Sequence, residues 1–353
     1  MSMQTLGLQA PRLGKFKGQI LAHAVPREIL AKQGRQVKMP KNNSDTYVSR
    51  RWLPYGATAS QPNLFVQAGT GDRANAYVQQ HLTTEGVTGL PDSITAQDVT
   101  VVIQQYSCLY GFTDKTFDLY EDDVPGAMAE IVGERVALVN EYINWGVVRT
   151  TTNAFYGGTG TSRATVNGAI TLGMVRKIAK SLMANHADMV SSMLSASPDY
   201  DTSAVSAGFF VYCSTDMEPD IRDLPGFVPV EKYASGKPMP YEIGKCERFR
   251  FIASPEFVAI QDAGAAVGAT GLYSTSGSNI DVYQFIVTAK DAWSQVAVRG
   301  KEALKPTMIM PNEITKSDPH GQRGYIGTIW YKAAQIENSG WISVGNVGVK
   351  NLT

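Results

Sequence analysis

An α+β fold is predicted by three observations. Apolar residues spaced by threes and fours mark two long helices: Met128, Val132, Val136, Val139, Ile143 and Val147 form one stripe, and Val175, Ile178, Leu182, Met189 and Met193 the other. Short β-branched and aromatic runs mark strands, among them Val99 to Tyr106, Gly208 to Cys213 and Tyr283 to Val287. Near the C-terminus, Ser317-Asp318-Pro319-His320-Gly321 reads as a tight reversal. The parity of Ile326, Thr328 and Trp330 after it has the period of a long strand.

Length and composition bound what these elements build. The 353 residues allow two or three domains or one large irregular unit, with a sizeable core. Lys and Arg number 32 and Asp and Glu 32, so no net positive field draws the chain to nucleic acid or a membrane surface. Lys15 and Lys17 lie near no continuous apolar run, and no segment is long enough to span a bilayer, which predicts a protein that is not exported by a signal peptide. Cys108, Cys213 and Cys246 are odd in number and widely spaced, which argues against a disulfide framework or a thiolate metal site and for folding in a reducing cytosol.

The elements follow in order. Residues 1–60, rich in Gly, Pro, Gln and Lys, read as an extended arm that finds its apolar contacts on another surface. Tyr47 to Leu53, carrying Arg50 and Arg51, is a short strand ended by Pro54 and Gly56. A polar excursion separates it from the strand Val99 to Tyr106, and two strands bracketing such an excursion predict a projecting hairpin. The first helix starts at Asp122-Asp123, whose carboxylates cap free N–H groups, with Pro125 in its first turn. About 25 residues give a rod of about 37 Å. Glu130, Glu134, Arg135, Glu141 and Asn144 fall off its stripe and read as a solvated face. The second helix is expected from about Asn167 to Leu194. His186 lies on its stripe, where a lone histidine reads as a core residue, since no second His or Cys stands at ligand spacing.

Gly157-Gly158-Thr159-Gly160-Thr161-Ser162 has the glycines of a phosphate loop. It lacks the Lys and a strand to feed it, so it reads as a flexible link between helices. A short helix is expected from Asp216 to Leu224, then a strand from Tyr241 to Pro255. No nucleophile elbow, metal motif or dinucleotide fingerprint is present, so neither enzyme chemistry nor a cofactor is predicted.

Several segments resemble one family. The Asp318-Pro319-x-Gly321-Gln322-x-Gly324 turn, the aromatic strand, the Ala333-Ala334-x-Ile336 step and the final Trp341-Ile342 are similar to the end of major capsid proteins of tailed bacteriophages, especially the family named after the coliphage N-four. Leu82-Thr83-Thr84-Glu85-Gly86-Val87 resembles that family's Leu-Thr-Glu-Gly-Val step with one extra Thr, and Gln105-Tyr106 with Phe112-Thr113-Asp114 its return strand. Tyr241-Glu242-Ile243-Gly244 and Arg250-Phe251-Ile252 resemble a Gly-Glu-Ile-Gly step and the strand after it. Tyr241 replaces the first Gly, and Cys246-Glu247 stands where a Gly often does.

The resemblance implies a tailed-phage major capsid fold: an N-terminal arm (1–60), an extended β-hairpin loop (61–112), a peripheral domain with a long spine helix (113–200), an axial domain (201–300) and C-terminal strands of the peripheral domain (301–353). It implies a protein that assembles, first as a procapsid, into an icosahedral shell around double-stranded DNA. Its expected partners are its own copies as hexamers and pentamers, portal and scaffold proteins, cement or decoration proteins, and DNA contacted nonspecifically. Its expected place is the virion, after assembly in the host cytoplasm. Arg50, Arg51 and Glu85 are the candidate contacts between subunits. Asp318, Pro319 and Gly321 are expected to shape the closing turn, and Trp330 and Trp341 to pack its sheet. The alternatives are a cellular nanocompartment shell of the same fold and a soluble hydrolase.

Overall fold

The computed structural model describes Val25 and residues 28–42, 44–63, 78–79, 81–88, 93–120, 123–191, 207–233, 238–268, 270–299, 306–314 and 316–352. Most of the arm expected before residue 28, and Asp122 of the expected helix cap, lie outside these. Along the chain run β1 (Arg35–Met39), β2 (Thr46–Trp52), β3 (Ala96–Val102), β4 (Gln104–Thr113), α1 (Asp114–Leu119), α2 (Val124–Val148), β5 (Ala154–Tyr156), α3 (Leu172–Ala184), β6 (Phe209–Ser214), α4 (Glu218–Arg222), β7 (Phe227–Pro229), β8 (Glu242–Cys246), β9 (Phe249–Ser254), β10 (Tyr283–Thr288), β11 (Trp293–Val298), β12 (Thr307–Ile309), β13 (Arg323–Ile336) and β14 (Ile342–Val347). The chain divides into two compact units, each assembled from three separate stretches of sequence.

The first unit comprises residues 1–45, 102–148 and 293–335. Its sheet runs β1-β11-β13-β12, with β4 also on β13. The closing turn is built as its residues suggest. Gly321 N–H donates to the Asp318 carbonyl at 3.2 Å, and Asp318 Oδ2 accepts from Arg323 N–H at 2.8 Å. Gly321 has φ 63°, and a Cβ there would stand 2.9 Å from Asn312 Cα, so this position needs glycine twice over. The 14-residue β13 then pairs antiparallel with β4 over ten residues, from Arg323↔Thr113 to Lys332↔Gln104. Ile326, Thr328 and Trp330 are buried and Ile329 is exposed, which is the expected parity. Beneath this pair, Met128, Val132 and Val136 of α2 pack on Cys108, Phe112, Ile326 and Trp330.

Helix α2 has the expected 25 residues, and Asp123 Oδ1 caps it by accepting from Gly126 N–H at 3.0 Å. Its C-terminal half departs from the sequence reading. Glu141 and Asn144, assigned above to a solvated face, are 1% and 0% exposed, while Val139, Ile143 and Val147 are only partly buried. The physical reason is a turn 110 residues upstream. Glu141 accepts the backbone N–H groups of Ile29, Leu30 and Ala31 at 3.1, 2.8 and 3.1 Å, so burying the carboxylate satisfies three donors at once. Strand β1, which the sequence did not announce, pairs parallel with β11 from Arg35↔Ser294 to Met39↔Val298.

The second unit comprises residues 46–101, 149–292 and 336–353. Its sheet runs β5-β14-β10-β6-β9-β8-β7. Every residue of β6, β9, β10 and β14 is buried, the polar Arg250, Gln284 and Asn346 included, so both faces of these strands are covered. Met174, Val175, Ile178 and Leu182 of α3 complete this core.

Helix α3 begins at Leu172, where Thr171 Oγ1 accepts from Met174 N–H, and stops at Ala184, short of the expected Leu194. His186 adopts φ 53°, its N–H reaching the Met183 carbonyl and Ala187 N–H the Leu182 carbonyl. That bond pair is a Schellman stop, so His186 terminates the helix instead of riding its stripe. The Gly157 to Ser162 stretch is also corrected: β5, paired with β14, feeds it, and Asn167 and Thr165 side chains pin it. The strand expected over Val99 to Tyr106 is split at Ile103, with β3 pairing β2 and β4 joining β13.

Candidate functional site

The paired strands β2 and β3 carry two of the three candidate contact residues. Hydrogen bonds from Leu53 N–H to the Thr95 carbonyl and from Ile103 N–H to the Asp45 carbonyl, each 2.9 Å, frame an antiparallel ribbon that sets Arg50 opposite Asp98 and Arg51 opposite Gln97. Successive side chains leave opposite faces of a strand, so the two arginines have different surroundings. Arg50 is exposed and grips Asp98 in a fork, Nε to Oδ1 at 2.7 Å and Nη2 to Oδ2 at 2.8 Å. Hydrogen bonding to Asp98 raises the Arg50 pKa and lowers that of Asp98. Val48, Trp52 and Val102 share this exposed face.

Arg51, on the other face, donates to Gln97 Oε1 at 3.0 and 2.5 Å. Burial lowers its pKa, against the raising effect of Glu337. Ser49 Oγ donates to Glu337 Oε1 at 3.0 Å, so this face is fastened to its own unit. Asn63 Nδ2 reaches Asn338 Oδ1 at 3.0 Å and Asn185 Oδ1 at 3.2 Å. Glu85 sits apart, exposed in a turn closed by Val87 N–H on the Thr84 carbonyl, between exposed Leu82 and Val87. Trp330 stacks on Tyr106 with centroids 5.9 Å apart and donates to Asn140 Oδ1 at 3.0 Å, and Trp341 Nε1 donates to the Asn185 carbonyl at 2.8 Å.

Sequence motifs also mark a buried ion pair. Glu242 and Arg250 stand on adjacent strands β8 and β9, joined through Nε to Oε1 at 2.7 Å and Nη2 to Oε2 at 2.6 Å. Tyr233 Oη donates to Glu242 Oε1 at 2.7 Å and Met239 N–H to Oε2 at 2.9 Å. Burial first, then this carboxylate, pushes the Tyr233 hydroxyl pKa up. The two departures from the family's glycines fall at the ends of β8: Tyr241 has φ 65° and Glu247 φ 51°, both in the left-handed region that glycine occupies without penalty.

A cleft of 680 Å³ in the second unit is lined in part by Asp216, Asp281, Tyr273, Tyr283 and Lys350. Its polar groups serve the chain itself. Asp281 accepts from Asp262 N–H, Thr275 N–H and Thr275 Oγ1, and burial followed by the Asp216 carboxylate raises the Tyr283 pKa. Among the described residues, no three His, Cys, Asp or Glu side chains gather as metal ligands, and no helix is long and apolar enough to cross a membrane.

Solved structures carry the decisive comparison. The capsid of Ralstonia phage GP4 superposes with a TM-score of 0.66 at 11% identity, covering 100% of both chains. The chain has the fold of a phage capsid protein. The capsid fold recurs in the cyanophage Pam1 capsid (TM-score 0.60, 12% identity, 99% of each chain) and in the head of Helicobacter pylori bacteriophage KHP40 (0.57, 9%, 99% of this chain and 98% of that one). No family model and no curated protein matches the sequence.

Sequence reasoning singled out Arg50 and Arg51 as candidate contacts, read Tyr241 to Pro255 as one strand where the chain forms the antiparallel pair β8 and β9 turned at Glu247, and missed Asp98 and Gln97 as partners of the arginines. The available signal was strand pairing: with Leu53 set against Thr95, residues 50 and 51 oppose 98 and 97.

Proposed function

We propose that this chain is a major capsid protein, a non-enzymatic subunit that polymerises into an icosahedral shell around packaged double-stranded DNA. The observation that carries the reading is agreement with capsid structures over whole chains, 100% of both for the Ralstonia phage capsid. A ribbon exposing Val48, Trp52 and Val102 suits the role, since such a strip gains when another copy covers it. In this reading Arg50, held out by Asp98, and Glu85, at a loop tip, set register between copies, while Arg51 keeps the ribbon's inner face on its own subunit. Copies associate as hexamers and pentamers, with portal, scaffold and cement proteins as further partners in the virion. Zero formal net charge fits a wall that contacts DNA without tight binding.

Electron microscopy of the chain expressed with its neighbouring genes tests this. Closed shells, hexamers or pentamers are expected. A persistent monodisperse monomer under assembly conditions overturns the reading.

A further inference from the structure

Residues 29–31 are held differently from the strand that follows them. Strand β1, a few residues on, is secured by a five-residue ladder to β11. Residues 29–31 are tied to the rest of the unit by side chains, beside the local turn bond from Gln33 N–H to the Leu30 carbonyl at 3.0 Å. Glu141 takes all three N–H groups. From the opposite side, Gln295 Nε2 donates to the carbonyls of Leu30 and Ala31 at 3.0 and 3.1 Å, and Gln36 Nε2 adds a bond to Ala31 at 3.3 Å. Gln295 Oε1 in turn accepts from Lys332 Nζ and from Asn144 Nδ2, which closes a ring of side chains from α2, β11 and β13. Ile29 and Leu30 are buried, 4% and 0% exposed.

We propose that residues 29–31 form a strap that opens and closes as one unit on an intact sheet, with the Glu141 carboxylate as its fastening. Three donors share one carboxylate, so they part from it together. The backbone bonds of the ladder behind them are separate from these; Gln36 and Gln295 of its strands reach the strap only through their side chains, so the ladder stays closed when the strap opens. The ring is also under-filled: Asn144 Oδ1 is buried without a donor among the described residues, which leaves it an acceptor to offer when the strap shifts.

Hydrogen exchange read by mass spectrometry on the unassembled chain tests the strap independently of shell formation. In the parent protein, the amides of 29–31 are expected to exchange together and faster than those of β1 and β11. Glu141→Gln is expected to speed exchange at 29–31 at least about tenfold, with β1, β11 and β13 unchanged. Exchange of 29–31 at the ladder's rate in the parent overturns the proposal. So does a Glu141→Gln effect that is absent or spread through the whole unit. If that variant does not fold, the parent's order of exchange decides: exchange of 29–31 together and ahead of β1 and β11 supports the strap, and exchange at the ladder's rate overturns it.

Discussion

In the seven-stranded sheet, buried Glu242 meets a buried cation, Arg250, and a tyrosine hydroxyl. In the other unit, buried Glu141 is satisfied by three backbone N–H groups, with Lys332 as a nearby charge. The difference lies in what each side chain leaves behind. Loss of Glu242 strands a guanidinium whose side chain is 6% exposed, whereas loss of Glu141 strands neutral amides. It also explains the opposite costs of charge. Arg250 keeps a raised pKa because Glu242 outweighs its burial, while burial pushes Glu141 up and pulls Lys332 down to about 8.

The largest expected effect follows from that contrast. Glu242→Ala costs about 3 to 5 kcal/mol in urea unfolding, because the arginine stays buried and unpaired. A loss below about 1 kcal/mol breaks the comparison. Next comes Lys332. A base whose folded pKa lies below its unfolded value of 10.5 stabilises the fold above the unfolded value, and that contribution is lost as pH falls through about 8. The parent protein therefore gains stability relative to Lys332→Met as pH rises from 8 to 10.5, by about 1 to 3 kcal/mol in paired denaturation curves. Equal curves at all pH values place Lys332 in solvent.

Smaller again is Tyr241→Gly, which relieves a left-handed backbone and stabilises by about 1 kcal/mol, read as a raised melting temperature. Smallest is Arg50→Ala. Its fork with Asp98 is solvent-exposed, so melting of the isolated subunit is unchanged while shell assembly, followed by light scattering, slows. A melting shift with normal assembly assigns Arg50 to the fold instead.

How much was legible follows from the range of the interactions involved. The span of α2, the closing turn at Gly321 and the Arg250 strand are set by neighbours in sequence: a cap, a φ, and the apolar Phe249, Phe251 and Ile252 around the arginine. Glu141 was misread because the donors that bury it are 110 residues away, and helical spacing says only where a side chain points. The stop at His186 was missed because the apolar spacing continues beyond it and the residue at the left-handed position is not a glycine. Strand β1 was hidden by its polar Arg35, Gln36 and Lys38, and of its five residues only Met39 is buried. At the candidate contacts, the arginines were visible and their intrachain partners were not, since register depends on both strands at once.

The order in which the sheets close has a consequence for synthesis. Strand β4 waits for β13, more than two hundred residues later, and β14 sits between β5 and β10 in the second sheet. A nascent chain therefore cannot finish either unit until residues beyond 323 have left the ribosome. In the proposed reading as a shell subunit, that delay separates translation from polymerisation: a partly made chain has no completed surface to offer a neighbour.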